Sequence, residues 1–405
     1  MKNKTGRKFI KALTLDLKKD GWEKSRGFVM RDVPMPFLDE RKNPTDATCA
    51  IIKILYAGVC GSDRGLWYRT AFKDLLRDSL KREQKTIRIT GHEFVGEIVE
   101  VGSMVENLYS DPDPHNKAKI EVGSLISGDS HVTCGRCYQC RIGEAHVCLN
   151  ESILGISIDG IFAEYVKIPA KNLWPVDETR LRLPLAAIYD PFGNAVHAMT
   201  VTDFRGQRVA IFGCGPIGLF SILLARNFGA AKVIAIDISA ENLKMAKELG
   251  AHETILIPKT HKKETWEADE SVVEKIMNLT YSKGVDVSME MAGAFSSVNN
   301  AINSTRRGGQ VIFFGIKDGD ITIPKFSRLI TRGLTIHNII GREIFRTWQI
   351  AQRILNDKTN GIAGAIWNVI LKKGVGTILD FKDFDPMRFE AAMDKNPKIL
   401  FKING

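Results

Sequence analysis

The 405-residue sequence has no apolar run approaching the roughly 18 residues that a membrane span needs, so no transmembrane segment is expected. Proline is scarce, at 14 residues, and the chain carries neither an internal repeat nor a low-complexity tract. That excludes fibrous, disordered and solenoid architectures. Cysteines number only seven, and four of them crowd between positions 134 and 148. A disulfide framework is not expected from such usage; metal binding is. The basic start has the charge of an export signal, but Lys11, Asp16, Lys18, Lys19 and Asp20 break any apolar core behind it. A cytoplasmic location is the expectation.

What is present points to a globular protein of two domains, since 405 residues exceed one ordinary core. The formal charge of +10 comes from Lys and Arg scattered along the chain, densest between Lys2 and Lys11. No interleaved aromatics or recognition-helix pattern accompany them, so no nucleic-acid partner is expected and the basic start reads as a solvated tail. Up to about residue 185 the sequence shows short alternating runs, such as Cys49 to Leu55 and Glu93 to Val101, punctuated by glycine. These predict a compact β domain. Two segments interrupt it. Arg69 to Arg88 carries Phe72, Leu75, Leu76 and Leu80 at helical spacing among basic residues, while Glu106 to Lys119 reads as a loop. From about residue 205, buried strands alternate with helices through Gln310 to Gly315, which predicts a doubly wound parallel sheet covered on both faces.

The first strand of that second region runs into Gly213-Cys-Gly215-Pro216-Ile217-Gly218 and an apolar helix. Glycine here permits the tight turn, lets a pyrophosphate approach the backbone and allows close helix packing, while the helix N-terminus faces the anion. The next strand ends in Asp237, whose carboxylate can accept hydrogen bonds from ribose hydroxyls and would repel a 2′-phosphate. No Arg or Lys follows before Lys244, so NAD is expected in preference to NADP.

Cys134-Gly-Arg-Cys137-Tyr-Gln-Cys140, followed by Cys148, supplies four thiols in one short loop. Four thiolates close a tetrahedral zinc site and leave no open position, so this ion would fold the loop without doing chemistry. An iron–sulfur cluster would need an electron partner, and none is visible. Cys60, in Gly58-Val-Cys60-Gly-Ser62-Asp63, and His92, in Gly91-His92-Glu93, form a second candidate set. Taken alone, a Cys and a His so far apart are more often a buried thiol and a hydrogen-bonded histidine than a metal pair.

With these motifs in this order, the chain resembles the zinc-containing medium-chain dehydrogenases over nearly its whole length. Within that family, Ser130 to Cys137, Tyr189 to His197 and Gly341 to Trp348 look most like L-threonine 3-dehydrogenases. The resemblance implies an α/β protein: a GroES-like, β-rich catalytic domain (1–188, with a structural zinc lobe at 131–150), a Rossmann domain (189–340) and a C-terminal return to the catalytic domain (341–405). It implies two zinc ions per chain. Cys60, His92 and Glu93 would ligate the catalytic one; Cys134, Cys137, Cys140 and Cys148 would hold the structural one. Ser62 and Asp190 would relay the alcohol proton, and Phe314, Gly315, Ile316, Ile339 and Ile340 would join the nucleotide turn in binding cofactor. A small secondary alcohol, L-threonine first, would be oxidised to the ketone, the metal lowering the pKa of its hydroxyl. A homodimer or homotetramer is implied, with Leu334 to Ile340 as a candidate pairing edge.

Two departures are visible. Members of the family commonly carry a relay histidine five positions after the zinc cysteine, where this chain has Gly65. Arg64 is a feature of sugar dehydrogenases in the same superfamily, so a polyol or sugar substrate is the alternative, with Arg64 either binding a carboxylate or serving a surface salt bridge. A non-catalytic, NAD-binding sensor is a second alternative. The Arg69 to Arg88 segment is expected as a solvated surface insertion, and Cys49, Cys214, His131 and His197 as packing residues.

Overall fold

The computed structural model describes residues 6–23, 25–109, 119–258, 264–316 and 319–404. Lys2 and Lys4 of the basic start, and residues 110–118 of the stretch read as a loop, lie outside these residues. The chain divides into two compact units, one of Met1–Asp190, Leu355–Asp357 and Leu371–Gly405, the other of Pro191–Ile354 and Lys358–Ile370. No helix among the described residues is long and apolar enough to cross a membrane.

The first unit is built on a seven-stranded sheet whose central strand, Cys49–Gly58, pairs antiparallel with Glu93–Val101, Tyr165–Pro169 and Leu400–Lys402. That strand is nearly continuous in apolar residues because both of its faces are covered: Ile52 and Ile54 are fully buried on one side, Ile51 on the other. Phe94, Phe162, Trp67, Phe389 and Phe401 fill the larger core, with the Phe389 and Phe401 rings stacked 5.2 Å apart. Residues from the far end of the chain thus complete a sheet begun near its start.

The Arg69 to Arg88 insertion is more than a solvated excursion. It forms the amphipathic helix Lys73–Glu83, and Leu76 and Leu80 on its inner face belong to the core, whereas Phe72 and Leu75 are exposed. The fully buried Arg88 guanidinium closes the segment, donating to Glu83, Asp159, the Ser79 hydroxyl and the Ser157 carbonyl. A buried cation is tolerable only with such partners. The stretch expected as a loop begins instead with a short helix, Val105–Tyr109, anchored by the buried Val105.

The second unit carries a six-stranded parallel sheet in the order Glu253–Leu256, Lys232–Asp237, Arg208–Phe212, Val285–Glu290, Thr305–Phe313, Thr335–Asn338. The order reverses at Arg208–Phe212, the strand that feeds the glycine turn, which is where such sheets bind ligands. Residues 341–354 and 358–370 group with this unit, and residues 355–357 and 371–405 with the first. Within residues 341–354 the helix Arg346–Asn356 buries Trp348 and Ala351 at helical spacing.

Candidate active site

Cys60 ends the loop after the central strand and caps the helix Gly61–Trp67. Three residues on, Asp63 returns its Oδ2 to the Cys60 backbone N–H at 2.9 Å, so the short helix fixes the thiol's position. Glu93, directly after His92, begins the neighbouring strand, which runs antiparallel to the central one with Glu93 opposite Gly58. Sheet pairing therefore brings together residues 32 positions apart. The ligand atoms of Cys60, His92 and Glu93 lie within 4.8 Å of one another, and His92 and Glu93 are buried.

Several polar atoms here are buried without a hydrogen-bond partner: Glu93 Oε1, His92 Nδ1 and Asp63 Oδ1. Such orphans are costly unless something satisfies them. His92 Nδ1 and Asp63 Oδ1 face one another at 3.6 Å, too long for a hydrogen bond but placed so that Asp63 orients the ring from behind. Nε2, 3.3 Å from the Ser62 hydroxyl, is left for the Cys60 side. A sulfur, an imidazole nitrogen and a carboxylate oxygen converging in a buried site suit zinc, whose bonds of about 2.0–2.3 Å leave a fourth position open when three protein ligands are used. The residues present fit the metal.

Lys398, from the C-terminal segment, completes the cluster. Its buried ammonium donates to Glu93 Oε2 and, at 2.9 Å, to the Val59 carbonyl next to Cys60. One carboxylate oxygen is thus committed to lysine while the other stays unpartnered. Asp190 is buried as well, and its Oδ2 accepts the Ser130 N–H at 3.3 Å. Burial opposes the His92 imidazolium, but the Asp63 carboxylate, the Cys60 sulfur and Asp190 outweigh it and hold the His92 pKa up at about 10. Metal must displace that proton, so zinc affinity should climb at least tenfold per pH unit between pH 6.5 and 9, as read by competition with a chromogenic chelator. A pH-independent affinity would contradict this. The sign for the metal-free protein is opposite: its raised pKa adds stability that is full below the ordinary value of 6.5 and lost as pH rises through about 10.

Gly65, where a relay histidine was expected, sits against the insertion. A Cβ at this position would lie 2.8 Å from the Ala71 Cβ. The turn that starts the insertion has taken the space. Gly65→His should therefore lower stability by about 1–3 kcal/mol, the ordinary cost of overpacking, without raising activity. Thermal unfolding followed beside steady-state rates checks both parts; a faster enzyme of unchanged stability would refute the packing argument. Arg64 is engaged too, pairing with Asp394 at 2.7 Å and lying over the Tyr68 ring. Of the two roles open to it, the structure supports the salt bridge.

The four lobe cysteines are unpaired by disulfide, and their sulfurs lie within 4.8 Å of one another. Backbone N–H groups of Arg136 and Cys137 hold the Cys134 pKa down at about 6. A thiolate is thus poised where a tetrathiolate site needs one, and the lobe fits zinc.

In the second unit the glycine turn has the form its residues require. Gly213 adopts a left-handed φ of 95° and packs against Ala292, and a Cβ on Gly218 would fall 1.9 Å from the Gly213 carbonyl oxygen. Nothing lies within 4 Å of where a Cβ on Gly215 would stand, which leaves the helix N-terminus open to an anion. Asp237 is pinned by the N–H groups of Cys214 at 2.6 Å and Ser239 at 2.7 Å. Pro216 and Ile217 open the helix Pro216–Asn227. Phe314, Gly315 and Ile316 follow the strand Thr305–Phe313, and Ile339 and Ile340 follow Thr335–Asn338, so all these residues stand at the carboxyl ends of parallel strands. Glu290, which sequence reading passed over, shapes the same end by accepting the N–H groups of Ala292 and Gly293. His131 and His197 bond Glu151 and the Gly341 carbonyl, and the Cys49 and Cys214 thiols are buried; packing accounts for all four.

The chain is similar in sequence and in fold to proteins of known family. Residues 46–178 match the family model for the alcohol dehydrogenase GroES-like domain, and 216–357 the zinc-binding dehydrogenase model. An L-threonine 3-dehydrogenase of Bacillus subtilis is 32% identical over 86% of this chain and 89% of its own. Another, from Caldanaerobacter subterraneus, is 33% identical over 75% and 79%. In fold, an alcohol dehydrogenase of Thermotoga maritima superposes with a TM-score of 0.76 at 23% identity, covering 97% of this chain and 99% of that one. A half-buried Cys beside a buried His and Glu, converging where two paired strands meet, and a glycine turn at the sheet's reversal, together with this similarity, place the chain in the zinc-dependent medium-chain alcohol dehydrogenase family of oxidoreductases.

Proposed function

We propose that the protein oxidises the secondary alcohol of L-threonine to the ketone, 2-amino-3-oxobutanoate, with NAD as hydride acceptor. The observation that carries this reading is the Cys60, His92 and Glu93 cluster with Asp63 behind it, in a chain whose similar relatives are L-threonine 3-dehydrogenases. Bound zinc would supply Lewis acidity to the alcohol, and bound nicotinamide would take the hydride. The chain's own residues do the rest. Cys60, His92 and Glu93 Oε1 hold the metal, Asp63 fixes the imidazole, and Lys398 keeps the second Glu93 oxygen occupied. Ser62, beside His92 Nε2, takes the alcohol proton, and the buried Asp190 supports the transfer by its charge. With glycine at position 65, the proton passes from the half-exposed Ser62 hydroxyl to solvent water.

The choice of NAD is supported by Asp237, whose carboxylate is held at the glycine turn with no cation beside it in sequence until Lys244. Self-association through the edge strand Thr335–Asn338, whose outer side pairs with no strand among the described residues, is part of the same proposal. The test is reduced-nicotinamide absorbance at 340 nm with zinc-replete protein, offering L-threonine, sorbitol, glucose and 2,3-butanediol against NAD and NADP in parallel. Preference for L-threonine with NAD is expected; activity on a polyol alone moves the substrate, and silence on every alcohol overturns the reading.

A further inference from the structure

Away from the metal cluster, a concavity of about 280 Å³ opens on the first unit, lined by Arg7, Lys53, Tyr165, Asp380, Lys382 and Lys402 among others. Lys53 lies on the central strand opposite Tyr165, and Lys402 on the C-terminal strand opposite Asp380. Sheet pairing therefore fixes the backbones of two of the lysines. The ammonium groups of Lys53, Lys382 and Lys402 make no hydrogen bond or ion pair among the described residues. Arg7 is held in place by Glu164 at 3.0 Å and by the Tyr165 ring. The one acid in the lining, Asp380, accepts the backbone N–H of Lys382.

Three unpaired ammonium groups around one hollow repel each other, and the simplest relief is an anion placed among them. Elsewhere in this unit Lys85, Lys167 and Lys398 sit on carboxylates; what sets the hollow apart is that three such groups line one concavity. A phosphate group suits the hollow better than a single carboxylate. It brings close to two negative charges at neutral pH and three acceptor oxygens pointing in different directions, matching donors that come from separate strands and a turn. We propose that this concavity binds a phosphate-bearing dianion, as free phosphate or as the head of a small phosphomonoester. The site is independent of the metal cluster and of the substrate assigned above.

Isothermal titration of the zinc-replete protein with inorganic phosphate and with glycerol 3-phosphate, at low ionic strength and pH 7.5, tests this. The variant Lys382→Gln/Lys402→Gln alters two exposed side chains and so leaves the core untouched. The expectation is saturable binding of one dianion per chain, weakened at least tenfold in that double variant and largely retained in Lys382→Arg/Lys402→Arg. Tighter binding of the ester would identify a phosphorylated metabolite as the ligand, and equal binding would identify free phosphate. Binding unchanged in the glutamine variant, binding abolished by chloride at matched ionic strength (an adventitious ion only), or no saturation with either probe would overturn the proposal.

Discussion

Replacing Cys60 with Ala should reduce bound zinc from about two ions per chain to about one and lower kcat/KM by about a thousandfold or more. The magnitude follows from the several kcal/mol that a Lewis acid contributes, at about 1.4 kcal/mol per tenfold in rate. The fold should survive, because Cys60 is not fully buried and its helix is capped by Asp63 through the Cys60 backbone, which the substitution keeps. The lobe thiols should retain their ion. Metal content by atomic emission beside the rate distinguishes the two sites: loss of both ions would point to unfolding, and full activity with one ion would remove Cys60 from the site.

Gly218→Ala should do the reverse. The added Cβ meets the Gly213 carbonyl oxygen at 1.9 Å, a backbone atom that cannot step aside without opening the strand-to-helix turn. Dinucleotide affinity should fall by about tenfold to a hundredfold, or roughly 1.4–2.7 kcal/mol, with zinc content unchanged. Overpacking of this kind also destabilises by about 1–3 kcal/mol. Fluorescence titration with NADH measures the first effect and thermal unfolding the second; unaltered NADH binding would mean that the turn is not where the pyrophosphate sits.

The four-cysteine lobe and the nucleotide turn were legible in the sequence because their chemistry is concentrated in short motifs. Four cysteines within fifteen positions, and three glycines between a strand and a helix, need no tertiary knowledge to be recognised. Cys60, His92 and Glu93 could be joined only through the resemblance, since strand register, not spacing, brings them together. Lys398 was hidden for the same reason, lying 305 positions from Glu93. Nothing in the local pattern singles it out, since Lys395 and the exposed Lys402 stand close by in the same stretch. The insertion's inner face was legible as a helix at Leu76 and Leu80, but its membership of the core was not, because amphipathicity does not say what the apolar face meets. The crowding of Gly65 by Ala71 depends on the insertion's backbone path, which no residue pattern announces.

The central claim is that this chain moves a hydride from the alcohol carbon of L-threonine to a nicotinamide. It is tested most directly by mass analysis of the NADH formed when zinc-replete protein is given L-threonine deuterated at C3. The account predicts reduced cofactor one mass unit heavier than that from ordinary threonine, formed more slowly if hydride transfer limits the rate, and absent with Cys60→Ala. Unlabelled NADH, or none at all from a protein carrying both zinc ions and binding NAD, would contradict it.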